Sequence, residues 1–222
     1  MWISRIPVPV EINASAHADD DFSKNKSIAE LTDWNIYSPV WAPVSLEDQW
    51  LKLQDKDPFD YAKVERKIPA SKELKVSFDL KAGQNNKGTL HIEFLDENGI
   101  ACSRIELTDD GIFRLKGGSR FANMMKYEAG KVYHVEAVLS TVDRNIQVYV
   151  DGKRVGLRMF YAPVAAVERI VFRTGVPRTF PTVDTPADQT YDLPNAGAQD
   201  PLAEYGIANV KTSSTDKDAS SA

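Results

Sequence analysis

The stretch VYHVEAVLSTVDRNIQVYVDGKRV (residues 132–155) decides the fold, because alternation and punctuation agree in it on one structure. In its first half Tyr133, Val135, Ala137 and Leu139 share one side while His134 and Glu136 take the other; in its second, Ile146, Val148 and Val150 alternate with Gln147 and Tyr149. Successive side chains of a strand point to opposite faces, so each half predicts a strand with one buried face. The polar gap from Ser140 to Asn145 joins the halves, and Asp151-Gly152 is the pair favoured where a hairpin turns through positive φ. The stretch predicts a β-meander.

The same pattern continues outward in both directions. Over residues 73–80, Leu74, Val76, Phe78 and Leu80 point inward, and over residues 89–94 Leu90, Ile92 and Phe94 do, which leaves His91 and Glu93 on the opposite face. Ile105 and Leu107 face the core with Arg104 and Glu106 outward. Residues 48–53, 61–68 (ended by Pro69), 112–115 and 169–173 read as further strands, and 205–210 as a closing strand. Gly117-Gly118 is expected to open a loop that lasts to Gly130. Turns every 8 to 12 residues or so between short alternating strands predict an all-β fold, an antiparallel two-sheet sandwich.

Composition narrows the function. A chain of 222 residues, 42% hydrophobic and 27% charged, can bury a self-supporting core. Net charge of −5 without a basic, aromatic-rich cluster argues against nucleic acid. The one cysteine, Cys102, has no partner for a disulfide or a thiolate metal site and reads as a small strand side chain. No run reaches the roughly 18 apolar residues of a membrane span, and no signal peptide precedes the first strand.

The paired strands "HVEAVLS" and "NIQVYVDGKRV" resemble those of concanavalin A-like and laminin-G-like jelly rolls. MWISRIPVP (residues 1–9) resembles the last strand and exit linker of secreted β-propellers built from BNR-type repeats, several of which process polysaccharides and carry a sandwich after the propeller. The resemblance implies an extended segment over residues 1–18, cut from an upstream domain, then a jelly-roll domain over 19–211 and a disordered tail over 212–222. It further implies a noncatalytic accessory module of a secreted or periplasmic carbohydrate-processing protein, one that packs on an adjacent catalytic domain, contacts glycan, or both.

Candidate contact residues follow from the polar strand faces. His91, Glu93, Arg104, His134, Tyr149 and Arg173 would line such a face, with arginine forks suited to a uronate carboxylate. Alternation alone also puts polar residues on a solvated or partly covered face. Trp34 and Trp41 read either as packing that seals the sandwich or as platforms for sugar rings. Tyr191 lies in the aperiodic stretch 176–202, whose length makes it a candidate functional loop. The resemblance to jelly-roll polysaccharide lyases implies an alternative in which His91 and Tyr149 move protons while Arg104 or Arg173 neutralises a uronate. A laminin-G-like protein-interaction module is a further alternative. Glu93-Phe94-Leu95-Asp96-Glu97 does not match the paired-carboxylate strand of laminarinase-like hydrolases, because Asp96 falls out of phase with Glu93. No organic cofactor is expected; structural calcium would fall to Asp20, Asp21 and Asp192 if they met.

Overall fold

The alternating runs become strands. The computed structural model describes residues 16–175 and 197–214. Its strands are β1 (Asp19–Asp20), β2 (Trp34–Tyr37), β3 (Val44–Glu47), β4 (Trp50–Asp55), β5 (Lys63–Ser71), β6 (Glu73–Ala82), β7 (Leu90–Leu95), β8 (Ala101–Leu107), β9 (Ile112–Gly117), β10 (Arg120–Lys126), β11 (Val132–Ser140), β12 (Asn145–Val150), β13 (Lys153–Met159), β14 (Val167–Thr174) and β15 (Ala203–Ser214). They form two antiparallel sheets. One is eight-stranded in the order β13-β12-β11-β6-β15-β4-β3 with β1 paired to β15; the other is seven-stranded in the order β10-β9-β8-β7-β14-β5-β2. This is the jelly-roll sandwich the sequence predicts.

The meander is as read. β11 pairs with β12 from Val135↔Val150 to Ser140↔Asn145, and β12 turns into β13 through Asp151 (φ 50°) and Gly152 (φ 76°), both left-handed. Between the sheets lie the inward residues of both layers, with the Phe78 and Phe172 rings edge to face at 5.1 Å and Phe94, Phe113, Leu51, Leu53 and Tyr205 fully buried. Burying such side chains stabilises by about 1.5–3 kcal/mol each.

Several local expectations change. Pro69 does not end its strand: β5 runs to Ser71, because Pro69 lies beyond the last β2 pair at Arg66 and beside the register shift in the β14 ladder, where no strand hydrogen bond needs its missing N–H. Asp48 and Gln49, expected inside a strand, form a left-handed hairpin tip (φ 51° and 67°) between β3 and β4. The expected loop before Gly130 contains β10, a hairpin partner of β9 with a bulge between Asn123 and Met125. The closing strand is longer than residues 205–210 and reaches Ser214, with Thr212 holding the Ala18 N–H on its hydroxyl at 2.8 Å. The first 15 residues, most of the 176–202 loop including Tyr191 and Asp192, and the tail from 215 lie outside the described residues.

Candidate functional site

Sheet register gathers residues distant in sequence on the outer face of the seven-stranded sheet. His91 of β7 lies between Glu106 of β8 and Arg173 of β14, and Glu93 lies between Arg104 of β8 and Val171 of β14. Alternation sends these side chains away from the core, and water is the expected neighbour. Here the face is covered: His91 is 1% exposed, and Glu93 and Arg173 are 8% exposed. Two tyrosines reach this face from connecting segments. Tyr161, between β13 and β14, donates its N–H to the Cys102 carbonyl at 3.0 Å, and the Tyr61 ring, just before β5, lies 5.2 Å from the Arg173 guanidinium. Burial pushes the Tyr161 phenol up to about 12.

The charges inside the patch are organised. Arg104 Nε donates to Glu93 Oε1 at 2.7 Å, and Arg173 Nε approaches Glu93 Oε2 at 3.9 Å. His91 is driven down to about 3, first by burial and then by the Arg173 and Arg104 charges, against a backbone contact with Gly175 that acts the other way. The imidazole is therefore neutral at physiological pH, with one donor and one acceptor nitrogen. Neither nitrogen makes a hydrogen bond of ordinary geometry among the described residues, although Nδ1 lies 3.6 Å from Glu106 Oε1. Burial raises Glu106, against the pull of Arg114 and Arg104. An unsatisfied buried polar group costs about 1–3 kcal/mol, so the position favours any ligand or water that pairs with it.

Cations outnumber carboxylates on this face. Lys63, Lys67, Arg104, Arg114, Lys116, Arg169 and Arg173 occupy outward register positions, against Glu65, Glu93 and Glu106. Lys63 and Arg169 both reach Glu65, at 2.8 and 3.5 Å, and Lys116 Nζ sits 4.7 Å from the Tyr161 ring. The patch can present guanidinium forks to an anion, a neutral imidazole to a hydroxyl and aromatic walls to a ring.

The other sequence candidates lie elsewhere. His134 and Tyr149 belong to the eight-stranded sheet, where His134 Nδ1 meets Asp79 Oδ1 at 2.8 Å and the Tyr149 hydroxyl donates to Gln147 Oε1 at 3.1 Å. The lyase set is thus split, with Tyr149 on the opposite sheet from His91, Arg104 and Arg173. Trp34 is buried against Phe22 and donates its indole N–H to Asp20 Oδ2 at 3.1 Å; it seals the sandwich and offers no platform. Trp41 is half-buried beside Gln54, Lys56 and Leu202.

Asp20 also accepts from Arg66 Nε at 2.8 Å, and Asp21 from the Ser23 N–H and hydroxyl at 2.9 and 2.8 Å. Asp20 and Asp21 thereby have protein partners, and among the described residues no group of three or more His, Cys, Asp or Glu could hold a metal ion. Cys102 is fully buried, its thiol pushed up to about 12 by burial, which leaves no reactive thiolate. Sequence reasoning missed Tyr61 and Tyr161 because they reach the site from connections, where no periodicity points them.

An antiparallel jelly-roll sandwich is a build that carbohydrate-binding modules share. The chain belongs to the family described as sialidase-like, CBM (carbohydrate-binding module) domain, whose model matches residues 34–189. It is 88% identical to a solved sialidase, with a TM-score of 0.90 over 98% of this chain; that stretch is 20% of the sialidase chain, so the chain spans about a fifth of that protein's length. A structure from work on endo-acting O-glycanases with which prominent human gut microbiota members initiate mucin breakdown aligns at TM-score 0.60 and 12% identity, over 88% of this chain and 97% of that one. The carbohydrate recognition domain of Emp47p aligns at 0.54 and 11%, over 90% and 97%. These two likenesses show the fold alone. No curated protein matches the chain.

Proposed function

We propose that the chain is a noncatalytic accessory module that holds an acidic glycan on the outer face of its seven-stranded sheet, next to a catalytic domain of a longer protein that works outside the cytoplasm. The observation that carries this reading is the buried, neutral His91 between Glu106 and Arg173, its ring nitrogens without a well-formed hydrogen bond among the described residues, on a face where cations prevail. Membership of a carbohydrate-binding family and the similarity to a sialidase support the glycan and the neighbouring catalytic domain. Sialic acids combine a carboxylate with hydroxyls on one ring. In the proposed complex the arginines, preorganised by Glu93, fork onto the carboxylate, and His91, uncovered as the side chains over it shift, exchanges a hydrogen bond with a hydroxyl. Tyr61 and Tyr161 wall the ring.

Calorimetric titration with 3′-sialyllactose and with lactose tests it. The native chain should prefer sialyllactose by about tenfold, or about 1.4 kcal/mol, and H91F and R104K should each erase the preference. R104K keeps the charge and loses the fork, so its failure would report geometry. Equal affinity of the native chain for both sugars, or a preference untouched in both variants, would refute the reading.

A further inference from the structure

On the opposite sheet, alternation in Trp50-Leu51-Lys52-Leu53-Gln54 buries Leu51 and Leu53 completely and turns Trp50, Lys52 and Gln54 outward. A tryptophan on a polar sheet face leaves apolar area in water, and here the backbone is cut to receive it. Gly206 of the neighbouring β15 has no side chain, and a Cβ added there would stand 3.0 Å from Trp50 Cε3 and 3.6 Å from Cδ2. The indole thus lies over bare backbone at Gly206. Above it is an open recess of about 210 Å3, rimmed by Glu47, Asp48, Lys52, Lys81 and Glu204.

The rim is held in place. Glu204 Oε2 accepts from Gln54 Nε2 at 2.7 Å, and its N–H donates to Gln84 Oε1 at 2.9 Å; Glu47 grips Lys52 Nζ at 2.7 Å. Groups fixed before binding lose little freedom when a ligand arrives. An aromatic surface ringed by charged donors and acceptors lacks the contiguous apolar area of a protein-docking patch. It suits the apolar face of a sugar ring, whose hydroxyls would meet carboxylates and amines at the edge. Three carboxylates, Glu47, Asp48 and Glu204, stand against Lys52 and Lys81, and Lys52 is already paired, so the local field disfavours an acidic sugar.

We propose that Trp50 is the floor of a second glycan subsite, on the outer face of the eight-stranded sheet, that takes an uncharged pyranose. The subsite is independent of the acidic-glycan site: it uses another sheet, other residues and another ligand class.

The test follows the Trp50 indole N–H resonance of the full chain, assigned by its loss in W50F, during titration with lactose, N-acetyllactosamine and 3′-sialyllactose. One or both neutral sugars should move it saturably. G206A, whose new methyl would push the indole off its seat, should weaken that response by about tenfold. Sialyllactose should move it no more than lactose does. The proposal is overturned if neither neutral sugar perturbs the resonance, if folded G206A responds as the native chain does, or if sialyllactose gives the stronger response. Because the first readout is taken on native protein, a misfolded variant cannot decide the outcome.

Discussion

A neutral imidazole sealed at His91 ties the stability of the sandwich to acid. Its folded value of about 3 lies below the 6.5 of an unburied histidine, so between these limits the unfolded chain takes up a proton that the folded chain refuses. The sign follows: the contribution is fully present above pH 6.5 and shrinks as pH falls toward 3. At about pH 5 it should have lost about 2 kcal/mol. Urea unfolding at about pH 7.5 and about pH 5 should show the native chain losing that much more than H91Q; parallel losses would mean that His91 is not held neutral. The outward direction of His91, Glu93 and Arg104 was legible in the alternation of the stretch Leu90-His91-Ile92-Glu93 and its partner strand. Their burial was not. Periodicity reports which side a residue faces and is silent on whether Tyr161 or Tyr61 crosses above it.

At the scale of elements, the ladder sets which outward residues meet. Glu93 opposes Arg104 only because β7 and β8 pair in that register, with the shift displaced to Phe94/Leu95 at the strand end. A one-residue slip of either strand would send its own member of the pair to the core. The entry of the chain shows a different control. Asp20 of β1 is the counterion of Arg66, which is 5% exposed, and also takes the Trp34 indole N–H; β1 is thereby tied to β5 and β2, which belong to the other sheet. D20A leaves Arg66 only the longer contact with Asp33 at 3.6 Å and strips the Trp34 indole of its acceptor, so it should cost about 2 kcal/mol in urea unfolding, more than D19A, whose partner Lys211 is exposed. Equal effects would show that Arg66 finds water instead. The sequence offered Asp20 as an oxygen ligand, since an acidic run looks alike whether it awaits a metal or an arginine 46 residues away. Hairpins were easier to read: the left-handed Asp151-Gly152 turn announces itself, whereas the equally left-handed Asp48-Gln49 tip lacks the glycine that would have marked it.

Across the whole molecule, a net charge of −5 conceals two unlike faces. The seven-stranded sheet carries the cationic patch around Arg104 and Arg173, and the eight-stranded sheet carries the acidic rim around Trp50. With the sandwich core between them, a single short oligosaccharide has no route from one face to the other. A branched or polymeric glycan does, and would then bind through both faces with an affinity beyond either alone. Salt separates the contributions. Charges near a surface are screened over about 10 Å at 0.1 M ionic strength, so raising salt from about 50 to about 300 mM should weaken 3′-sialyllactose several-fold while leaving lactose within about twofold. The native chain, titrated calorimetrically at both salt concentrations, checks this. Loss of affinity in equal measure for both sugars would place the acidic and the neutral ligand on the same face and remove the division of labour between the sheets.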